Sequence, residues 1–91
     1  MELSEPEIVD RARADLARRL GLADEEISTQ SIEQTDFPDA ALGAPIEDEM
    51  SAQIITSGWR VHLKARGQTY EYRSNGKQLR LVNFDGENHR T

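Results

Sequence analysis

Apolar residues recur at every fourth position near the start of the chain: Ile8, Ala12, Leu16 and Leu20, joined by Val9. At 100° per residue they form a stripe about 120° wide, the pattern of a helix with one buried face. Both ends of this stripe are punctuated. Ser4-Glu5-Pro6-Glu7 reads as a capping box, with Ser4 accepting from the amide of Glu7, Glu7 reaching back, and Pro6 where a missing amide costs nothing. Gly21 can adopt the left-handed conformation that closes a helix, and Leu22 can fold back on the last turn. A helix is therefore predicted over Glu5 to Leu20. Glu7 with Arg11 and Asp15 with Arg19 are acid-before-base pairs four apart, each expected to add about 0.2–0.5 kcal/mol on an exposed face.

The periodicity then changes. Ile27 to Asp36 is polar and β-tolerant, with Ile27 and Ile32 as its only aliphatics, and reads as an edge strand. Phe37 to Met50, with Pro38, Gly43 and Pro45, reads as a long loop. Phe37, Leu42 and Ile46 are expected to plug one edge of the core. After Ala52 the pattern is strands joined by glycine turns at Ser57-Gly58, Arg66-Gly67 and Asn75-Gly76.

If the last two are two-residue turns, Leu63 lies opposite Tyr70 and Tyr70 opposite Leu81, while Val61 aligns with Tyr72 and Leu79. Those six would line the inner face. The same register sets His62, Glu71 and Arg80 side by side on the outer face, Ile54 opposite Val61, and Trp59 entering the inner layer with an indole N–H that needs a partner. Asp85 to Thr91 has no apolar anchor and is expected to be a disordered tail. The expected fold is α+β: one N-terminal helix packed on a four- to five-stranded antiparallel meander sheet, a single domain over residues 1–84.

Composition narrows the class. With 91 residues there is room for one core, and 36% apolar against 31% charged residues, at a mean hydropathy of -0.72, suits a globular domain rather than a membrane span. Without cysteine there is no disulfide, thiolate nucleophile or cysteine metal site. The N-terminal Met-Glu-Leu-Ser-Glu-Pro has neither a basic start nor an apolar stretch, so the expected location is cytoplasmic unless the chain is excised from a longer exported precursor. A net charge of -6 argues against attraction to nucleic acid or anionic membrane.

The charge is also segregated. Asp24 to Glu49 holds nine acids and no Lys or Arg, whereas Met50 to Phe84 holds six bases against the single acid Glu71. Two such blocks can meet in the fold.

Candidate chemistry is sparse. There is no Gly-x-Ser-x-Gly, His-Glu-x-x-His, Walker loop or Gly-x-Gly-x-x-Gly. His62 beside Glu71 is the one base-plus-orienter pair, and a base needs a nucleophile within reach. Asp36, Asp39, Glu47, Asp48 and Glu49 offer hard oxygens without the alternating spacing and central glycine of a calcium loop, so no metal site or cofactor is expected. Arg60, Lys64, Arg73 and Arg80 share the outer sheet face, yet Tyr70 and Tyr72 alternate inward and leave no stacking platform for bases.

Asp15-Leu16-Ala17-Arg18-Arg19-Leu20-Gly21, Pro38-Asp39-Ala40-Ala41-Leu42-Gly43-Ala44-Pro45, Ala52-Gln53-Ile54, Gly58-Trp59-Arg60-Val61 and Tyr70-Glu71-Tyr72 together resemble a family of short bacterial proteins. That family is common in cyanobacteria and lipoprotein-like chains and has no assigned function. The likeness spans about residues 8–82. It is most specific in the loop, where members read Trp-Pro-Asp-x-x-Leu-Gly-Cys-Pro and this chain has Phe37 and Ala44 for the aromatic and the cysteine. The resemblance implies no catalytic residue, cofactor or substrate.

The expectation is a non-catalytic binding module for a protein partner. It would use the loop 37–50 and the adjoining tip at Ser57-Gly58, with Phe37, Asp39, Leu42, Glu47, Asp48, Glu49 and Trp59 as binding residues. The alternatives are a small hydrolytic or transfer enzyme using His62 and Glu71, or weak nucleic-acid binding by the basic sheet face.

Overall fold

The computed structural model describes residues 3–47 and 49–91. Helix α1 (Glu5–Leu20) crosses one face of a five-stranded antiparallel sheet made of β1 (Ser28–Phe37), β2 (Thr56–Ala65), β3 (Gln68–Ser74), β4 (Leu79–Phe84) and β5 (Glu87–Arg90). The strands lie side by side in chain order. This is the α+β meander expected from the pattern.

The helix ends where its caps dictate. Ser4 and Glu7 form the reciprocal capping box, Gly21 is left-handed at φ 67°, and the Leu22 amide donates to the Ala17 carbonyl at 2.9 Å. A single 3₁₀ turn, Asp24–Glu26, then leads into β1.

Ile8, Ala12 and Leu16 meet Val61, Leu63, Tyr72, Leu79 and Leu81 in one buried cluster, with Tyr70 and Trp59 packed at its margin. All six inner-face residues therefore face the helix. Asp15 is also buried, at 3% exposure, rather than forming a surface pair. Its carboxylate accepts from the Tyr72 hydroxyl at 2.7 Å and from Arg18 and Arg19 at 2.8 Å each. Burial first, then the bond to and charge of Asp15, push the Tyr72 phenol far above its ordinary pKa, so it stays a neutral donor.

A bulge sets the faces of β1. Ile27 and Ile32 are five residues apart, so in a regular strand they would point to opposite faces. The register slips between Thr29 and Ser31, which adds a residue at Gln30 and turns both isoleucines toward the helix. Phe37, five further on with no second bulge, faces the opposite side.

Three expectations are corrected. Ser57 and Gly58 are not a turn: they lie within β2 opposite Asp36 and Thr35, and Ile54, outside any strand, is not opposite Val61. The place of the expected strand is taken by β1, which pairs along nearly all of β2. Gly58 is required there by proximity, since a Cβ would lie 2.2 Å from the Ser74 carbonyl oxygen.

Arg66-Gly67 is a two-residue turn, with φ of 52° and 77°. Asn75-Gly76, in contrast, belongs to a four-residue connection. The Asn75 side chain accepts from the amides of Lys77 and Gln78, and the Gly76 carbonyl accepts from Leu3. The extra two residues slide β4 so that Leu81 faces Tyr72 and Leu79 faces Ser74. A two-residue slip preserves faces, so the core survives, but Arg80 now lies opposite Arg73 instead of Glu71.

Finally, residues 85–91 do not form a disordered tail. A turn at Asp85-Gly86, both with positive φ, carries the chain into β5, where the Thr91 amide donates to the Leu79 carbonyl and the Asn88 side-chain oxygen accepts from the Asn83 amide.

Gly58→Ala should lower stability by roughly 3 kcal/mol, because the added methyl must displace backbone. At ~4–8 °C per kcal/mol for a domain this size, the melting temperature by circular dichroism should fall by more than roughly 10 °C.

Candidate functional site

The register that opposes Arg73 and Arg80 extends into a row across the outer face: Glu33, Arg60, Arg73, Arg80 and Arg90 are successive cross-strand partners on β1 to β5. Four adjacent guanidiniums would repel one another if left bare. They are not bare, because the loop after β1 folds down on this face.

Phe37 is buried beneath Arg60 and Arg73, whose guanidinium carbons stand 6.0 and 5.4 Å from its ring centroid. Asp39 Oδ1 accepts from the amides of Ala41 and Gly43 at 2.9 and 3.0 Å, winding the loop tightly. That winding puts Leu42 and Gly43 at φ 59° and 66°. Gly43 has a steric reason as well, since a Cβ there would lie 2.9 Å from Arg73 Nη1.

The loop has no strand partner, so side chains from the sheet must satisfy its carbonyls. Gln78 donates to Ala40 at 2.8 Å, Arg73 to Leu42 at 2.9 Å, Arg80 to Ala44 at 3.1 Å and Asn88 to Pro45 at 2.9 Å. Arg80, only 3% exposed, also forms a two-pronged pair with Glu49 at 2.6 and 2.8 Å and donates to Gln78. The acidic and basic blocks of the sequence do meet, through Glu49–Arg80 and Glu33–Arg60, and Arg90 beyond the basic block also lies near Glu49.

The expected binding residues thus separate. Phe37, Asp39, Leu42 and Glu49 are committed to holding the loop on the sheet; Phe37 and Leu42 are buried against its outer face rather than plugging an edge of the helix-side core. Glu47 is exposed. Asp48 lies outside the described residues. Trp59 is on the opposite side of the sheet, where its indole N–H donates to Glu5 at 2.8 Å.

What the loop leaves free is its last stretch. Met50, Ile54 and Ile55 are 98%, 59% and 75% exposed, and residues 50–55 run outside any strand. The sequence signal for them was present, two adjacent isoleucines, but reading them as part of a strand hid it.

His62 is flanked on both sides. Ser31 Oγ is 3.1 Å from its Nδ1, and Glu71 Oε1 is 3.2 Å from its Nε2. Ser31, His62 and Glu71 are direct cross-strand neighbours. Glu71 is heavily engaged, bonding Arg73 and lying 3.4 Å from Arg60. Burial pushes its carboxyl upward, but the bond and charge of Arg73, the bond to His62 and the charge of Arg60 outweigh this and hold it below the ordinary carboxylate value. Among the described residues no cluster of three His, Asp or Glu side chains is placed to hold a metal ion, and no helix is long and apolar enough to cross a membrane.

The helix, the loop and the sheet are together the body of a known domain type of unassigned function. The chain belongs to the family described as Domain of unknown function (DUF8738), which matches residues 9–82. Neither the curated proteins nor the solved structures include a match to the chain.

Glu49→Gln should destabilise the fold by about 2 kcal/mol, below the cost of breaking a fully dry pair because Glu49 is partly wetted. The Arg80 bond holds the Glu49 carboxyl below its ordinary value of 4.5, as Glu71 is held. A carboxyl depressed on folding stabilises above its unfolded pKa and loses that contribution as pH falls through the folded value. Urea midpoints should therefore drop on acidification below about 4.5, and less steeply in Glu49→Gln, which lacks one of the carboxyls held low in the folded state.

Proposed function

We propose that this chain is a non-catalytic protein-interaction domain that meets its partner through the end of the loop, at Met50, Ile54 and Ile55. One observation carries the reading. Phe37, Ala41, Leu42 and Ala44 are buried and Ile46 is half-buried, whereas Met50, Ile54 and Ile55 are exposed and have no packing role inside the domain. Three large apolar side chains displayed within six residues are an unusual concentration on a surface, and such patches are commonly contact sites. Met50 borders a pocket that also holds Glu49, Lys77 and Arg90, so charges of both signs stand beside the patch, which favours a partner face that is apolar at its centre and of mixed charge at its rim.

In this reading the Phe37-Pro38-Asp39 and Leu42-Gly43 motif shapes and anchors the platform, and residues 50–55 carry recognition. The double variant Ile54→Ser/Ile55→Ser should melt within about 0.5 kcal/mol of the parent, since these side chains touch little. A photo-crosslinker at Ser51 should join one protein partner in the parent, with capture reduced at least tenfold in the double variant. Equal capture by both would count against the reading.

A second reading is favoured by Ser31, which supplies the hydroxyl that His62 and Glu71 lack in the sequence pattern. With Glu71 ionised and accepting from Nε2–H, Nδ1 is free to take the Ser31 proton as its oxygen attacks an ester carbonyl; the ester C–O bond then breaks, the acyl group stays on Ser31, and Nδ1–H returns the proton to the departing alkoxide. A fluorophosphonate probe should then label Ser31 in the parent and not in His62→Ala. Under the interaction-domain reading neither protein is labelled.

A further inference from the structure

Among the described residues, the first strand of the sheet has no neighbour on its outer side. β1 is bonded to β2 alone, and its ten residues are exposed for most of their length. Which of its backbone groups are free follows from the turn at Arg66-Gly67. In a two-residue hairpin the flanking pair, Ala65 and Gln68, exchange both bonds, so odd-numbered residues of β2 face β3 and even-numbered ones face β1. His62, Arg60 and Gly58 thus bond Ser31, Glu33 and Thr35. The N–H and C=O groups of Ile32, Gln34 and Asp36 are left pointing outward.

Beside this edge lies a groove of 340 Å³ between α1 and β1, lined by Glu5, Pro6, Val9, Asp10, Arg13 and Ile32. Its floor is apolar, formed by Pro6, Val9 and Ile32. Arg13 closes one end by donating to Thr29 Oγ1 at 2.8 Å, while its Nε is buried without a hydrogen-bond partner. An open strand edge next to an apolar groove under a helix is the arrangement that receives an extended peptide: the edge supplies main-chain bonds and the groove selects a side chain.

We propose that β1 accepts an extended segment of a partner protein as a sixth strand, with an apolar side chain of that segment seated on Pro6, Val9 and Ile32. Charge decides between a foreign segment and a second copy of β1. The regular part of the strand runs from Ser31 to Phe37, beyond the bulge, and antiparallel self-pairing over it sets Ile32 opposite Asp36 of the other copy. That places a carboxylate against the apolar floor. A foreign antiparallel segment has no such constraint: it carries Lys or Arg opposite Asp36 and Glu33 and an apolar residue opposite Ile32. The recognised pattern is basic, any, any, basic, apolar. The surface is distinct from Met50, Ile54 and Ile55, so each site stands or falls on its own.

The test is selection from a displayed library of random twelve-residue peptides, followed by amide chemical-shift mapping with the best synthetic peptide. Enrichment of the basic-x-x-basic-apolar pattern is expected, with saturable shifts at Ser31–Phe37, Val9 and Arg13. Gln34→Pro removes an outward N–H at a ladder-neutral position, and Val9→Lys fills the groove without touching the ladder. Each should weaken the peptide at least tenfold while Ile54→Ser/Ile55→Ser leaves it unchanged. Absence of enrichment, shifts centred on residues 50–55, or binding equal in the parent and a folded Val9→Lys protein would overturn the proposal. So would concentration-dependent self-association that broadens the β1 amides.

Discussion

A segment without strand or helix partners can lie against a sheet only if something else satisfies its backbone. Here the solution is a row of guanidiniums. Arg73 of β3, Gln78 just before β4, Arg80 of β4 and Asn88 of β5 reach up to the carbonyls of Leu42, Ala40, Ala44 and Pro45. Without those donors the loop carbonyls would be desolvated and unpaired, at ~1–3 kcal/mol each. Without the loop, four arginines would face one another across adjacent strands. Each arrangement makes the other tolerable, and Glu49 closes the exchange by giving the most buried arginine its counter-charge.

This mutual dependence gives the domain three layers rather than two. The helix covers one face with aliphatic contacts, and the loop covers the other with charge-assisted hydrogen bonds around Phe37. The loop motif that resembled a family signature is explained by this layer alone: an aromatic under guanidiniums, an aspartate folding the loop on itself, and Leu42-Gly43 in the left-handed region. Its residues are occupied internally, in holding the loop against the sheet.

The helix, its caps and the inner face of the sheet were legible because each rests on local or two-residue periodicity. Ile8, Ala12 and Leu16 announce their face, and Val61, Leu63, Tyr70, Tyr72, Leu79 and Leu81 announce theirs even when a strand slides by two. The slide itself was not legible. It depends on Asn75 capping Lys77 and Gln78, which widens the connection beyond the two-residue turn that Asn-Gly suggests, and on Leu3 bonding Gly76, a contact between parts of the chain more than seventy residues apart. β5 was missed for a related reason: Asn88 and Thr91 are held by hydrogen bonds, which leave no hydrophobic pattern. Ser57-Gly58 misled because glycine serves close backbone approach as readily as it serves turns. For the candidate site, Phe37, Asp39, Leu42 and Glu49 stood out in the sequence, but their commitment to the fold could be seen only once Arg73 and Arg80 were placed opposite them.

The loop's anchors also bear on how the molecule assembles. Pro45 waits for a side chain 43 residues further along the chain, and Ala44 for one 36 further on. During synthesis the helix and β1 emerge before the strands that hold the loop, so Phe37 and Leu42 wait for β2 and β3 to supply Arg60 and Arg73, and the loop's carbonyls wait longer, for Arg80 and Asn88. The outer layer is therefore the last to close, pairing its final loop carbonyl, that of Pro45, only when β5 delivers Asn88.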